Sequence, residues 1–275
     1  MPRKLSICIA QINYSSPSIG EHLERIKGII NRNKEADLIV FPELILHGHP
    51  SQESPEGLLY RKAKVVYGGI STKLYSFIRE KNARVIFGQI QRKGDDIYNV
   101  ATYVDRNSVQ HYVKTHVHWT EHFTPGNRLK VFETPFGQIG INICFDSAFS
   151  EVWRNIALKG PEIIVNISAV PAHFPSSYVH RRMAGAALDN QVFVIFANRA
   201  APAFGGKSSI FNPKGERILS FGTSEVIRTA NIDLDEVCAW RKEEAVWKNR
   251  RPGLYRKSAQ RNLIEPLNST KINSC

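Results

Sequence analysis

Cysteine is scarce and scattered in this chain of 275 residues. The four thiols, at positions 8, 144, 238 and 275, form no C-x-x-C pair and no ladder of short spacings. That excludes a zinc ribbon and a disulfide framework and leaves a reducing, cytoplasmic setting as the expectation. Long apolar runs are missing as well. Stretches such as Val192 to Ala197 fall far short of the roughly 20 residues that cross a bilayer, so no membrane partner is expected. The chain starts basic, but its first apolar stretch, Leu5 to Ile12, is short, alternates with polar residues and leads to no small-residue cleavage site. It reads as a strand rather than a signal peptide. No linker, low-complexity tract or short-period repeat divides the sequence. One domain over 1–250 with a tail over 251–275 is therefore expected, long enough to bury a core without staples.

Negative charge is in the minority: 37 Lys and Arg stand against 25 Asp and Glu, a net charge of +12. A surplus of that size can mark a nucleic-acid surface, so its distribution decides the matter. It is spread along the chain, and its densest patch, Lys242 to Lys257, carries no recognised nucleic-acid motif. No nucleic-acid partner is expected.

What is present is an alternation of strand and helix patterns. Leu5–Ile12 reads as a strand. Ser18 is placed to cap a helix through Arg32 with Leu23, Ile26, Ile29 and Ile30 on one stripe. Asp37–Phe41 is a fully apolar strand stopped by Pro42-Glu43. A helix is expected over Ala63–Lys81, then a strand at Val85–Ile90, and a hairpin of Tyr98–Val104 with Val109–Val113 turning at Asp105–Asn107. Strands at Lys130–Phe132 and Gln138–Ile143 follow. The second half repeats the theme: helix Glu151–Lys159, strand Ile163–Ile167, helix Ser177–Asn190 and strand Val192–Ala197. A hairpin of Ser208–Phe211 with Arg217–Phe221 and a last strand, Val226–Ile232, complete it. This alternation argues an α/β fold with helices outside packed sheets. The tail from about Arg250 loses periodicity and is expected to wrap the surface or a partner subunit.

Three polar groups stand at or just beyond strand ends: Glu43, Lys114 and Cys144. Each has a plain reading alone: a solvated loop carboxylate, a surface lysine, a buried thiol acting as a small hydrophobe. Each also has a chemical one. A carboxylate at the edge of a core can serve as a general base. A thiol on the turn after Gly140-Ile-Asn-Ile143 can be held in a strained position, where unpaired N–H groups of a starting helix favour a thiolate.

Taken together, Phe41-Pro-Glu43-Leu44, Tyr112-Val-Lys114 and Ile143-Cys144-Phe-Asp146 resemble, in order, the three segments that hold the Glu-Lys-Cys triad of the nitrilase, or carbon–nitrogen hydrolase, superfamily. Glu121-His-Phe-Thr-Pro125-Gly126 is similar to the family segment whose glutamate assists near the triad. Gly137–Gly140, Ala197-Asn198-Arg199 and Gly206–Gly215 extend the resemblance over residues 4–235. It implies a four-layer α-β-β-α sandwich and a homodimer or larger homo-oligomer. The stripe of Val152, Trp153 and Ile156 could supply the subunit contact or pack within the monomer.

The implied activity is that of a thiol-dependent hydrolase without a cofactor. Glu43 would be the base, Cys144 the nucleophile, Lys114 the oxyanion partner with the Phe145 backbone N–H, and Glu121 the residue that orients Lys114 or the leaving group. Phe145, Trp119, His118 and Ala169 are assigned to the substrate, with Trp119 and Phe123 as walls or, alternatively, as core. Asp146 is expected to cap the following helix. True nitrilases resemble one another in a Cys-Trp-Glu segment, whereas here Phe145-Asp146 follows the thiol. A small linear amide or N-carbamoyl amine is thus expected ahead of a nitrile. Ser147-Ala148 stands where branches taking anionic substrates place an Arg, which leaves a neutral or cationic substrate. Nitrile hydrolysis, acyl transfer and a non-catalytic binding role are the alternatives. His47, His49, His116, His118 and His122 have His-x-His spacings, but no matching carboxylate or thiol accompanies them, and no metal is expected.

Overall fold

In the computed structural model of the protein, residues 3–14, 18–48 and 69–259 are described. The alternation reads out as β1 (Lys4–Gln11), α1 (Ile19–Arg32), β2 (Leu38–Val40), α2 (Ser71–Glu80), β3 (Val85–Lys93), β4 (Asp96–Val104) and β5 (Val109–Val113). Then come β6 (Val131–Thr134), β7 (Gly137–Ile143), a 3-10 turn over Cys144–Ala148, α3 (Ser150–Ala157), β8 (Ile163–Ser168), α4 (Ser176–Asn190) and β9 (Phe193–Asn198). The chain continues through β10 (Ser209–Phe211), β11 (Arg217–Ser220), β12 (Val226–Asp233), α5 (Asp235–Glu243) and α6 (Pro252–Ala259).

Two six-stranded mixed sheets result, in the orders β12-β1-β2-β3-β4-β5 and β11-β10-β9-β8-β7-β6. Their wiring is the same. Each has three parallel strands, β1-β2-β3 or β7-β8-β9, joined through helices, with antiparallel strands on both sides. The period-2 projection of side chains sorts them into layers. On β1, Ile7 and Ile9 join Val40, Tyr103 and Tyr112 against Ile139, Ile141, Ile143 and Val165 of the opposing sheet. Cys8 and Ala10, on the other face, meet Leu23, Ile26 and Ile30 of α1 and Leu74 and Ile78 of α2. Each large aliphatic side chain buried this way contributes about 1.5–3 kcal/mol. On the second sheet α3 covers β7 so closely that a Cβ at Gly140 would lie 2.5 Å from the Ile156 methyl. The expected four-layer α-β-β-α sandwich is the architecture found.

Local chemistry sets the boundaries. Ser18 Oγ accepts the Glu21 N–H at 3.5 Å and starts α1 as expected. The first part of the expected helix, 63–68, lies outside the described residues, and α2 occupies Ser71–Glu80. β3 and β4 run on past the expected ends into a second hairpin, because Gly94, at φ 63, lets the chain reverse between Lys93 and Asp96. Val152, Trp153 and Ile156 are at most 3% exposed, so the α3 stripe packs within the chain rather than offering a subunit contact. The tail was expected to lack periodicity, yet Pro252–Ala259 is helical. Proline suits the first helical position, where no N–H is needed. The chain divides into two compact units, Met1–Trp240 and Arg241–Cys275. In the second, the Arg241 and Arg250 guanidinium groups lie 5.4 and 5.6 Å from the Trp247 ring centroid. Among the described residues no helix is long and apolar enough to cross a membrane.

Candidate active site

The apolar run of β2 ends at Pro42, whose missing N–H cannot extend a ladder. The chain then turns through Glu43 and Leu44, the latter at φ 49. That turn presses on β3, where a Cβ at Gly88 would come within 2.2 Å of the Leu44 nitrogen and 2.6 Å of the Glu43 Cα. Only glycine fits there. Glu43 is fully buried, and its Oε1 accepts from Lys114 Nζ at 2.9 Å and from Asn99 Nδ2 at 2.6 Å. Its second oxygen, Oε2, is also buried and accepts no hydrogen bond from the described residues.

Lys114 is the first residue past β5. Its backbone is pinned on both sides, its N–H donating to Asn99 O at 2.9 Å and its carbonyl accepting from Gly126 N–H at 2.8 Å. Its ammonium, 0% exposed, meets both Glu121 oxygens at 3.0 and 2.8 Å as well as Glu43. Burial by itself depresses the ammonium's pKa. The Glu43 carboxylate first, then Glu121, outweigh that and hold it above the ordinary lysine range.

Cys144 enters this corner from the other sheet. β7 stops at Ile143 and the backbone swings to φ 44 at Cys144, a left-handed conformation that costs a β-carbon-bearing residue about 1–3 kcal/mol. The half-buried thiol thereby leaves the strand register. Burial pushes the thiol pKa well up and the Glu43 carboxylate adds to the rise. Lys114 and the Ala169 backbone oppose it only in part. The direction of that shift favours the protonated thiol over the thiolate. Burial and a neighbouring anion work against the thiolate that a helix start was expected to favour.

Asp146 also differs from expectation. Its oxygens accept from Tyr112 Oη at 2.8 Å, Ile143 N–H at 3.0 Å, Thr115 Oγ1 at 2.9 Å and His116 N–H at 2.7 Å. It caps nothing in α3, whose start lacks a side-chain cap. It ties the Cys144 turn to the segment that follows Lys114 and so couples the two sheets across the site. Burial, then the Asp146 charge, holds the Tyr112 phenol protonated and donating.

An aromatic wall stands over the turn. Phe145 meets the His118 ring edge-on at 4.9 Å, Trp119 at 5.6 Å and Phe149 at 5.3 Å, while His118 stacks on Trp119 at 3.8 Å. Trp119 is 78% exposed. Phe123 takes its alternative role and packs with Leu44, Ile90 and Ile97. The histidines serve locally. His47 Nδ1 accepts from Ile90 N–H at 3.0 Å, His116 stacks on Phe149 at 4.0 Å, and His49 lies outside the described residues. Among the described residues no three His, Cys, Asp or Glu are grouped to hold a metal ion.

The fold thus brings Glu43, Lys114, Glu121, Cys144, Phe145 and Ala169 to one corner. It adds Asn99, which motif reading passed over, and gives a place to Arg199, which the sequence matched only as part of a longer segment. Asn99 fixes Glu43, and its only sequence signal is a lone amide in register with Ala101 and Tyr103, the core-facing residues of its strand. Arg199, fully buried, donates from Nε and Nη2 to Asn13 Oδ1 at 3.1 and 2.6 Å and lies 4.5 Å over the Phe204 ring. Burial pushes its guanidinium down to about 10, against the pull of Glu43.

The profile of the carbon-nitrogen hydrolase family matches residues 6–242. The chain is 34% identical over 232 residues to a nitrilase from Pyrococcus abyssi, spanning 80% of this chain and 86% of that protein. It is 28% identical over 284 residues to an omega-amidase from Bos taurus, covering 93% and 98% of the two. A carbon-nitrogen hydrolase structure from Helicobacter pylori superposes with a TM-score of 0.86 at 20% identity, over 94% of this chain and 99% of that one. With a family match running from β1 into α5 and a relative 34% identical over most of both chains, the chain belongs to the carbon-nitrogen hydrolase family and is an enzyme that hydrolyses carbon–nitrogen bonds.

Proposed function

We propose that the protein is an amidase that acts on a small linear amide or N-carbamoyl amine through a Cys144 thioester. The observation that carries this reading is the division of labour on Glu43. Oε1 is held by Lys114 and Asn99, and Oε2 is buried with no donor among the described residues. A buried acceptor without a partner calls for a function, and the neighbour that needs a base is the protonated Cys144 thiol.

In this mechanism the thiol proton passes to Oε2 as sulfur attacks the substrate carbon. The carbonyl electron pair moves to oxygen, and that oxyanion meets Lys114 Nζ and the Phe145 N–H. Each such donor contributes about 3–4 kcal/mol in comparable sites. Collapse of the adduct breaks the C–N bond, and Glu43 returns its proton to the departing nitrogen. Water, deprotonated by the same carboxylate, then hydrolyses the thioester and frees the thiol. Glu121 keeps the ammonium charged and aimed. Phe145-Asp146 after the nucleophile supports an amide over a nitrile, and Ser147-Ala148 offers no cation for an anionic substrate. The aromatic wall suits an apolar or cationic substituent.

Ammonia release from neutral amides, ω-amides, N-carbamoyl amines, N-carbamoyl amino acids and nitriles, with wild type beside Cys144→Ala, tests the reading. Turnover of an amide or carbamoyl amine by wild type, reduced about 10⁴-fold or more in the variant, is expected. Activity retained by the alanine variant, or turnover of nitriles alone, overturns it.

A further inference from the structure

Outside the corner just described, the described residues enclose a recess of about 360 Å³ lined by Arg92, Lys93, Arg128, Lys130, Tyr98 and Gln91, among others, and by no carboxylate. From this geometry we propose that it is a binding site for a small phosphate-bearing ligand, separate from the hydrolytic site. Val113 lines the recess while Lys114, next along the chain, reaches Glu43. Neighbouring residues on an extended segment project to opposite faces, so the recess backs onto the hydrolytic corner rather than opening into it.

The charge placement argues for an anion. Two elements converge on it. Arg92 and Lys93 end β3, and Arg128 and Lys130 follow the Gly126 turn that is stitched to Lys114 O and packed on Val113. Among the described residues Lys93, Arg128 and Lys130 have no carboxylate at ion-pair distance. Arg92 has Asp95 at 3.5 Å, and that carboxylate is fully exposed, where screening leaves little attraction. Asp96, just outside, is engaged by Tyr98 Oη at 3.2 Å and Thr124 Oγ1 at 2.9 Å. Four like charges around one concavity repel one another, and a multiply charged anion relieves that repulsion. Arginine and lysine donors around a phosphate form short, charge-assisted hydrogen bonds, bidentate for arginine. The volume lies at the low end for small-ligand sites. All four cations line one recess of about 360 Å³, a volume that favours a compact anion over a nucleic-acid strand.

Calorimetric titration of the full chain with sodium pyrophosphate, ATP and adenosine tests the site. Saturable binding of pyrophosphate, ATP or both, with none of adenosine, is expected. Pyrophosphate alone points to an inorganic or simple phosphorylated ligand, ATP alone to a nucleotide. Arg128→Gln with Lys130→Gln should weaken binding about tenfold or more, while Lys159→Gln, in the loop after α3, leaves it unchanged. Melting temperatures equal to wild type confirm that both variants fold. The proposal is overturned by any of three results. These are no saturation with either phosphate probe at about 1 mM, a double variant that binds like wild type, or an RNA oligonucleotide that binds more than about tenfold tighter than ATP.

Discussion

A buried ammonium and a group of exposed cations lie back to back across the end of β5, and they are built by opposite rules. At Lys114 the ammonium is 0% exposed and the protein itself supplies both counter-charges, Glu43 and Glu121. On the other face Lys93, Arg128 and Lys130 are solvent-exposed, and no side-chain carboxylate of the described residues pairs with them. Desolvation explains the contrast. A buried cation must be neutralised by its own fold because no water reaches it, whereas an exposed one can be left to solvent or to a ligand. The buried cluster should therefore be costly to disturb and insensitive to salt, and the exposed one the reverse.

The sharpest way to break that contrast is Lys114→Met. It leaves two buried carboxylates without their cation, and urea unfolding should show a loss of about 3–5 kcal/mol. Turnover should fall at least about 10²–10³-fold, as for loss of an oxyanion donor. Gly88→Ala tests the packing behind Glu43. Its Cβ would overlap backbone atoms of Leu44 and Glu43, so a stability loss of about 1–3 kcal/mol is expected, accompanied by lower kcat because the base moves.

Alkaline pH probes the same corner without mutation. Burial raises the Cys144 thiol and the paired carboxylates raise Lys114. Both groups keep their protons when folded at pH values where the unfolded chain has released them. Their contribution is full below the unfolded thiol value, roughly 8.5–9, and is lost as pH rises further. Thermal unfolding should show the melting temperature falling from about pH 9 upward, and Cys144→Ser should fall less steeply. Acid works on His22 with the opposite sign. Burial pushes its imidazole down to about 4, so stability is full above about 6.5 and declines toward pH 4 by up to about 3 kcal/mol in denaturant titrations. The smallest effect belongs to the exposed cluster, where Arg128→Gln with Lys130→Gln should change unfolding free energy by less than about 0.5 kcal/mol in urea titrations.

Much of this was legible in the sequence. β1, α1, the β4–β5 hairpin, β7, β8, α4 and the β10–β11 hairpin stand close to where periodicity and turn residues put them. Apolar spacing alone decides which face is buried. Short signals failed where tertiary contacts take over. α5 buries only Val237 and so shows no apolar stripe. α6 begins on a proline that reads equally as a loop. Asp146 looks like a cap because Asp before a helix usually is one, yet Tyr112 of β5 and Thr115 and His116 just after it claim its oxygens.

By itself the sequence determined the α/β alternation and the strand-end positions of Glu43, Lys114 and Cys144, because backbone geometry and hydrophobic patterning act within a few residues of chain. Only the tertiary structure decided that burial holds the Cys144 thiol up, that one Glu43 oxygen is left without a donor among the described residues, that Asn99 and Lys114 hold the other, and that four cations line one recess behind the site. Those properties depend on burial and on charges brought together from segments far apart in the chain, and no local pattern carries that distance.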